Sequence, residues 1–555
     1  MMVCKLHEAV EIIGNSNKHQ NNMPEVDENN KINSVQATAC ENNKSIQAAA
    51  GEKNKPTVTG GNSLSSNNTP IYTGLRKYAE EIEHIFHMPG HKLGRGIPEE
   101  FSQNLLQLDV TEVEGTDNLH FPEGIIRAAQ HQAAKAFGAD ETFFLVNGSS
   151  CGVQAAILSV CARGQKIIVG RDSHKSVVSG LVLSGAEPVF VYPEFNEEFA
   201  IAAQVTPESI EKALGANPDA CAVLITRPNY YGICSDIEKI SSLVHAHGKP
   251  LIVDEAHGAH FAFSDRLPQP ALLHGADICI QSAHKTLPAV TQGAYLHVKG
   301  NRVDRDRLAL NLSMLQTSSP SYIIMASLDI ARDLMEREGS EKLEALIGIN
   351  EQFACQLEKE GIYKVLSSKN MGINAIQDPT RLVINVSGLG ISGYHTERIL
   401  REKYRIQVEM ADFENIVLIT TVADTQAGLQ GIYEALTELA AVNSCAGQSP
   451  EGQRLRSLIK TQYSKGENKN LLSPWEAYVA AKEELELERC SGRLCAQTIT
   501  PYPPGIPYLY PGEIIDPSGI EYIKGILAAG GKVNGVGNKN TIRVIKTGGP
   551  ENLRG

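Results

Sequence analysis

The chain has no apolar run long enough to span a bilayer. Its opening residues also lack a basic flank followed by an apolar stretch, so neither a membrane segment nor a secretory signal is expected. Positive charge is in deficit: 51 Lys and Arg stand against 64 Asp and Glu, a net −13. That balance argues against general nucleic-acid binding and would mildly attract a small cation. The 11 cysteines have no repeated spacing. Cys221 and Cys279 sit inside apolar runs, where a thiol is ordinarily a small buried hydrophobe. The Cys490/Cys495 pair has no neighbouring pair to complete a zinc site, so no metal is expected. Reduced, cytoplasmic surroundings fit this usage. A dinucleotide-binding turn is missing too, since the glycine-rich stretch 530–537 opens no strand–turn–helix unit.

What is present is the size and patterning of at least two domains in 555 residues. Residues 1–70 are rich in Asn, Ser, Lys, Gln and Gly and cannot bury enough surface to offset ordering entropy, so a disordered polar tail is expected. From there to about residue 338, short apolar runs at 143–146, 166–169, 188–192, 221–226, 250–254, 277–280 and 293–298 alternate with helical patterns. Runs apolar throughout suit strands covered on both faces, and their alternation with helices predicts a largely parallel α/β sheet. Residues 339–555 read as a second, smaller α/β domain, with helices over 342–360 and 426–442 and strands over 381–386 and 416–421. A charged segment, 451–469, is expected to loop out of it, and the Pro/Gly-rich stretch 501–512 to form a rigid loop.

Three features stand in an order that makes chemical sense. Asn147-Gly148-Ser149-Ser150 lies between a predicted strand and a helix, where free N–H groups suit a phosphate or where a serine simply caps the helix. Asp254 closes the run 250–254, at the sheet edge where ligands bind in open α/β sheets. It either holds a pyridine nitrogen protonated or caps the next helix. Lys285, in Gln281-Ser282-Ala283-His284-Lys285, follows another strand and is either a Schiff-base former or a solvated charge. Together they make one cofactor site: a phosphate turn, a strand-end aspartate and a lysine about thirty residues later.

The same stretches, with His87-Met88-Pro89-Gly90-His91-Lys92, Glu114-Gly115-Thr116-Asp117-Asn118-Leu119-His120, Asp172-Ser173-His174 and Pro501-Tyr502-Pro503-Pro504-Gly505-Ile506-Pro507, resemble the Orn/Lys/Arg decarboxylases over roughly residues 71–530. These are fold-type-I pyridoxal-phosphate enzymes, and the chain is most similar to their biosynthetic bacterial arginine branch. The resemblance implies a fold-type-I large domain over 71–338, pyridoxal 5'-phosphate on Lys285, Asp254 at the ring nitrogen and His174 stacked on the ring. It implies that Ser149, Ser150, Ser282 and His284 hold the phosphate, with His257 near the cofactor. Glu513 matches a position near the substrate's distal cation. The implied reaction converts L-arginine to agmatine and carbon dioxide for polyamine biosynthesis, in a homodimer or higher homo-oligomer. Lysine or ornithine decarboxylation, an aminotransferase or lyase on the same fold, and a catalytically silent regulatory relative remain as alternatives.

Overall fold

The computed structural model describes residues 68–371, 376–443, 450–464, 472–502 and 505–546. The expected polar tail lies outside the described residues up to position 67, as do 465–469 of the charged segment and 503–504 of the Pro/Gly-rich loop.

Each of the seven apolar runs is a strand: β1 Glu141–Leu145, β2 Lys166–Gly170, β3 Glu187–Val191, β4 Val223–Thr226, β5 Leu251–Asp254, β6 Ile278–Gln281 and β7 Ala294–Val298. They form one sheet in the order β1-β7-β6-β5-β4-β2-β3. All pairs are parallel except those of β7, which runs antiparallel to β6 and β1. Side chains of β4, β5, β6 and β7 are buried throughout, as strands covered on both faces require. Each fully buried aliphatic side chain contributes about 1.5–3 kcal/mol of transfer free energy. Helix α1, Gly148–Val160, lies so close to this sheet that a Cβ on Gly152 would stand 2.7 Å from Leu145 and 3.1 Å from Ile280.

Register decides where the chemistry collects. Ile280 pairs with Asp254, and Asp254 with Thr226, so β4, β5 and β6 end at one edge. Ala294 pairs with Leu145 and Tyr295 with Gln281, which brings the end of β1, and with it Asn147–Ser150, to the same edge.

A second sheet, in the order β8-β9-β11-β10, is antiparallel and contains β8 Lys364–Val365, β9 Arg381–Asn385, β10 Met410–Ala411 and β11 Asn415–Ile419. Helix α3, Tyr322–Glu358, follows α2, Lys175–Ser184, in the numbering used here and runs unbroken through position 338. Residues from Tyr322 to Ile347 pack in the cluster around Phe137 and Tyr295, while Phe353 and Leu357 pack with Ile384 and Leu418 of the second sheet. A further cluster gathers Leu455, Cys490, Cys495, Tyr508, Ile523 and Val544.

The charged segment departs from expectation, because residues Pro450–Ser464 are a helix. Leu455, Leu458 and Ile459 fall on one face and pack into that last cluster. Three apolar residues at helical spacing outweigh a charged composition that reads as solvated loop.

Candidate active site

Lys285 sits on the single turn Ala283–Thr286 that follows β6. Its Nζ is 3.0 Å from His257 Nε2, and His257 Nδ1 lies 2.9 Å from Arg381 Nη2. A guanidinium only donates, so Nδ1 accepts and the neutral ring carries its proton on Nε2. That N–H then points at Lys285 Nζ, which accepts through its lone pair and is therefore a neutral amine. The electrostatics shift Lys285 toward that form, which predominates above about pH 8. Burial lowers the Lys285 pKa to about 8, against the opposing pull of Asp254 and Glu409. Burial, reinforced by Lys285 and Arg381, holds His257 well below the ordinary imidazole range.

Asp254 is 3% exposed, and its Oδ1 accepts from the Ala256 N–H at 3.2 Å. Burial raises its pKa while the nearby Lys285 lowers it. The adjacent Glu255 is committed elsewhere, to an ion pair with buried Arg227 at 3.2 Å and to Gln281 Nε2 at 2.7 Å. Asp254, not its neighbour, is thus the carboxylate left for the site. The Tyr230 ring lies 4.6 Å from that of His257 and 5.5 Å from Lys285 Nζ, forming one wall.

At the start of α1, Asn147 does not cap the helix; its side chain donates to Leu315 O at 3.2 Å. The first-turn N–H groups are left available to an anion. Ser282 Oγ donates to Ser149 Oγ at 2.7 Å, joining two strand ends, and half-buried Ser150 shares the turn. His174 is the N-cap of α2: its Nδ1 accepts from Ser176 N at 3.2 Å, and burial pushes its pKa down to about 3. A Cβ on Gly505 would come within 3.7 Å of this ring, so the loop after Tyr502 passes beside it. His284 is tied differently from the expectation of a phosphate donor. Its Nδ1 lies 3.0 Å from Gly293 O, so the neutral ring has only a lone pair on Nε2, and burial lowers its pKa to about 4. It could donate to a phosphate only as a cation.

Glu513 requires a correction. The residue is buried, with its carboxylate paired to Arg171 Nη2 at 3.2 Å and accepting from Tyr510 N at 2.8 Å. Arg171, just beyond β2, also donates to Pro507 O and Tyr508 O at 2.6 and 2.8 Å. This network pins the 505–513 segment to the large sheet and leaves no free carboxylate for a substrate cation. Glu513→Gln is expected to leave Arg171 buried and uncompensated, lowering unfolding free energy by about 3 kcal/mol. Urea denaturation checks this, and a loss under about 0.5 kcal/mol would contradict it.

Sequence reading missed Tyr230 and Glu409, and it offered Arg381, with Arg543, only as a carboxylate grip in the aminotransferase alternative. Arg381 is 124 positions from the histidine it meets, which no local motif signals.

A model described as "Orn/Lys/Arg decarboxylase, major domain" matches residues 69–428, and the corresponding C-terminal domain matches residues 456–539. The chain belongs to the Orn/Lys/Arg decarboxylase family. Among Orn/Lys/Arg decarboxylase relatives, a Bacillus subtilis (strain 168) protein named arginine decarboxylase is 41% identical over 492 residues, 87% of this chain and 99% of the relative. A Bacillus anthracis protein of the same name is 38% identical over 491 residues, 87% and 98% of the two chains. Lysine decarboxylase A from Pseudomonas aeruginosa superposes with a TM-score of 0.69 at 22% identity, covering 86% of this chain and 80% of that one. The E. coli constitutive lysine decarboxylase gives 0.65 at 20% identity, with 87% and 82% covered. These superpositions show the fold, the fold-type-I arrangement expected from the sequence.

Proposed function

We propose that the chain decarboxylates L-arginine, releasing carbon dioxide and agmatine, with pyridoxal 5'-phosphate bound covalently to Lys285. The observation that carries this reading is the donor chain from Arg381 through His257 to a buried amine, whose neutral form predominates above about pH 8, near a buried carboxylate. The Bacillus relatives support arginine as substrate.

The residues present fit the cofactor. The uncapped turn at Gly148 and the Ser149/Ser282 pair offer N–H and hydroxyl groups to a phosphate. Asp254 would hold the ring nitrogen, and His174, beside the 505 segment, would lie against the ring. Bound there, pyridoxal phosphate supplies the electron sink that loss of an α-carboxylate requires. Lys285 provides the attacking amine. Asp254 would keep a proton on the ring nitrogen, because an opposite charge favours the protonated form. His257 keeps its own proton on Nε2, aimed at the Lys285 nitrogen, since Arg381 occupies Nδ1.

A pH dependence follows. Burial lowers the Lys285 pKa from 10.5 to about 8, so the nucleophilic amine is present above that pH and is lost as pH falls through it. Uptake of pyridoxal phosphate by cofactor-free protein, followed by stopped-flow absorbance, is expected to rise with a midpoint near pH 8. A midpoint near the ordinary value of 10.5 would contradict the neutral-amine geometry.

One observation favours a second reading. Arg381 Nε and Nη1 are buried without hydrogen-bond partners, which suits a grip on a substrate carboxylate, as an aminotransferase needs. Carbon dioxide released from arginine without keto-acid formation decides for decarboxylation.

The proposal includes a homodimer in the cytoplasm. Phe121, Ile125, Leu310 and Met314 are exposed by 60–78% beside the cleft lined by Leu119, Pro122, Ala309 and Leu312, an apolar surface of the kind a second copy would cover. Every described cysteine is a free thiol, in keeping with a reducing compartment. Among the described residues no helix is long and apolar enough to cross a membrane.

A further inference from the structure

With Glu513 held by Arg171, a cationic substrate still needs an anionic pole near Lys285, and the structure contains one that the sequence did not suggest. The strand His84–Phe86 pairs in parallel with Ile406–Val408, and Phe86 stands opposite Val408. The residues that follow each strand are thereby brought together, and Met88 N donates to Glu409 Oε2 at 3.0 Å. That bond fixes the direction of the carboxylate. Among the described residues, Glu409 has no lysine, arginine or histidine within ion-pair distance, and its other oxygen accepts no hydrogen bond.

This carboxylate lines a cleft of about 340 Å³ with Tyr78, His87, Met88, Tyr230, Gln407, Val408 and Tyr502. Tyr230 borders both this cleft and the Lys285 site. The negative charge of Glu409 also reaches that site, favouring the protonated forms of both Lys285 and Arg381. Aromatic faces around one unpaired carboxylate suit a planar cation, which gains from both the ring quadrupole and charge-assisted hydrogen bonds.

We propose that the cleft headed by Glu409 receives the cationic arm of the amino-acid substrate, with a guanidinium paired to the Glu409 carboxylate between tyrosine walls. This rests on the decarboxylase reading for the identity of the substrate, though not for the existence of the subsite. The Lys285 amine then lies toward the α-amino end of the substrate.

The test uses the cofactor-loaded protein with agmatine, whose binding calorimetry reads without turnover, and with citrulline as the neutral counterpart of arginine. Glu409→Gln is expected to weaken agmatine about 10- to 100-fold, the range for a lost charge-assisted contact. It should raise KM for arginine by a similar factor with kcat within about threefold, the pattern of lost uniform binding. Citrulline affinity and the bound-cofactor absorbance should not change. Glu513→Gln should leave agmatine affinity intact. An unchanged agmatine Kd in Glu409→Gln overturns the proposal, as does a loss confined to Glu513→Gln. Loss of the cofactor absorbance in Glu409→Gln also overturns it, because the residue would then be structural. If Glu409→Gln does not fold, Glu409→Asp, which retains the charge but withdraws it by one methylene, must weaken agmatine while citrulline stays unchanged. Agmatine binding that depends on Glu409 in a protein that releases no carbon dioxide from arginine would sink the assigned reaction and leave the subsite standing.

Discussion

Lys285→Ala is expected to reduce carbon dioxide release from arginine by on the order of a thousandfold or more, the scale seen when a covalent catalytic group is removed. The surrounding geometry prepares this amine as a nucleophile. Arg381 fixes the His257 tautomer, His257 Nε2–H meets Nζ at 3.0 Å, and burial holds the pKa near about 8. Alanine removes the amine without adding volume, so the turn Ala283–Thr286 and the Ser149–Ser282 bond should persist. Borohydride reduction followed by peptide mass spectrometry should place the cofactor on Lys285 in the wild-type chain and on no residue in the variant. An adduct elsewhere, or activity within tenfold of wild type, would show that another amine performs the reaction.

Asp254→Asn should cost on the order of a thousandfold in kcat, because an adjacent carboxylate raises a cation's pKa by up to about three units and each unit is worth about 1.4 kcal/mol. Asparagine keeps the shape and can still accept from Ala256 N, so the loss reports charge and not packing. A second readout has its sign fixed independently. The Asp254 charge favours the ammonium form of Lys285, so its removal should move the pH midpoint of cofactor uptake below about 8. A midpoint that stays put, together with a kcat loss under tenfold, would place Asp254 outside the site and return it to an ordinary helix-capping role.

The sequence displayed the sheet almost completely, for a definite reason. Strands buried on both faces must be apolar at every position, so 250–254 and 277–280 stand out without any help from tertiary context. Residues that close such strands inherit the sheet's carboxyl edge, which made Asp254 and Lys285 visible. Pairings across the chain were not visible. Met88 meets Glu409 across 321 positions, and Arg171 meets Glu513 across 342, so a loop carboxylate that looked free proved to be paired and the useful one carried no local mark. His284 shows a different limit. The family resemblance implied a contact with the phosphate, but donor capacity depends on which nitrogen is occupied, and only the contact with Gly293 O reveals that. The helix Pro450–Ser464 was hidden by its own charge, although Leu455, buried, and Leu458 and Ile459, partly buried, kept helical spacing.

Helix α3 has a mechanical consequence. Its 37 residues make a strut about 56 Å long whose two ends belong to different hydrophobic clusters. A continuous rod resists bending at its middle, so the sheet bearing Arg381 is braced against the sheet whose strand Leu251–Asp254 leads to His257, and their contact is kept in register without any ligand. Passage of substrate and product is then expected to rest on side chains at the rim, Tyr78 and Tyr502 among them, and not on a wide swing of one half of the molecule against the other.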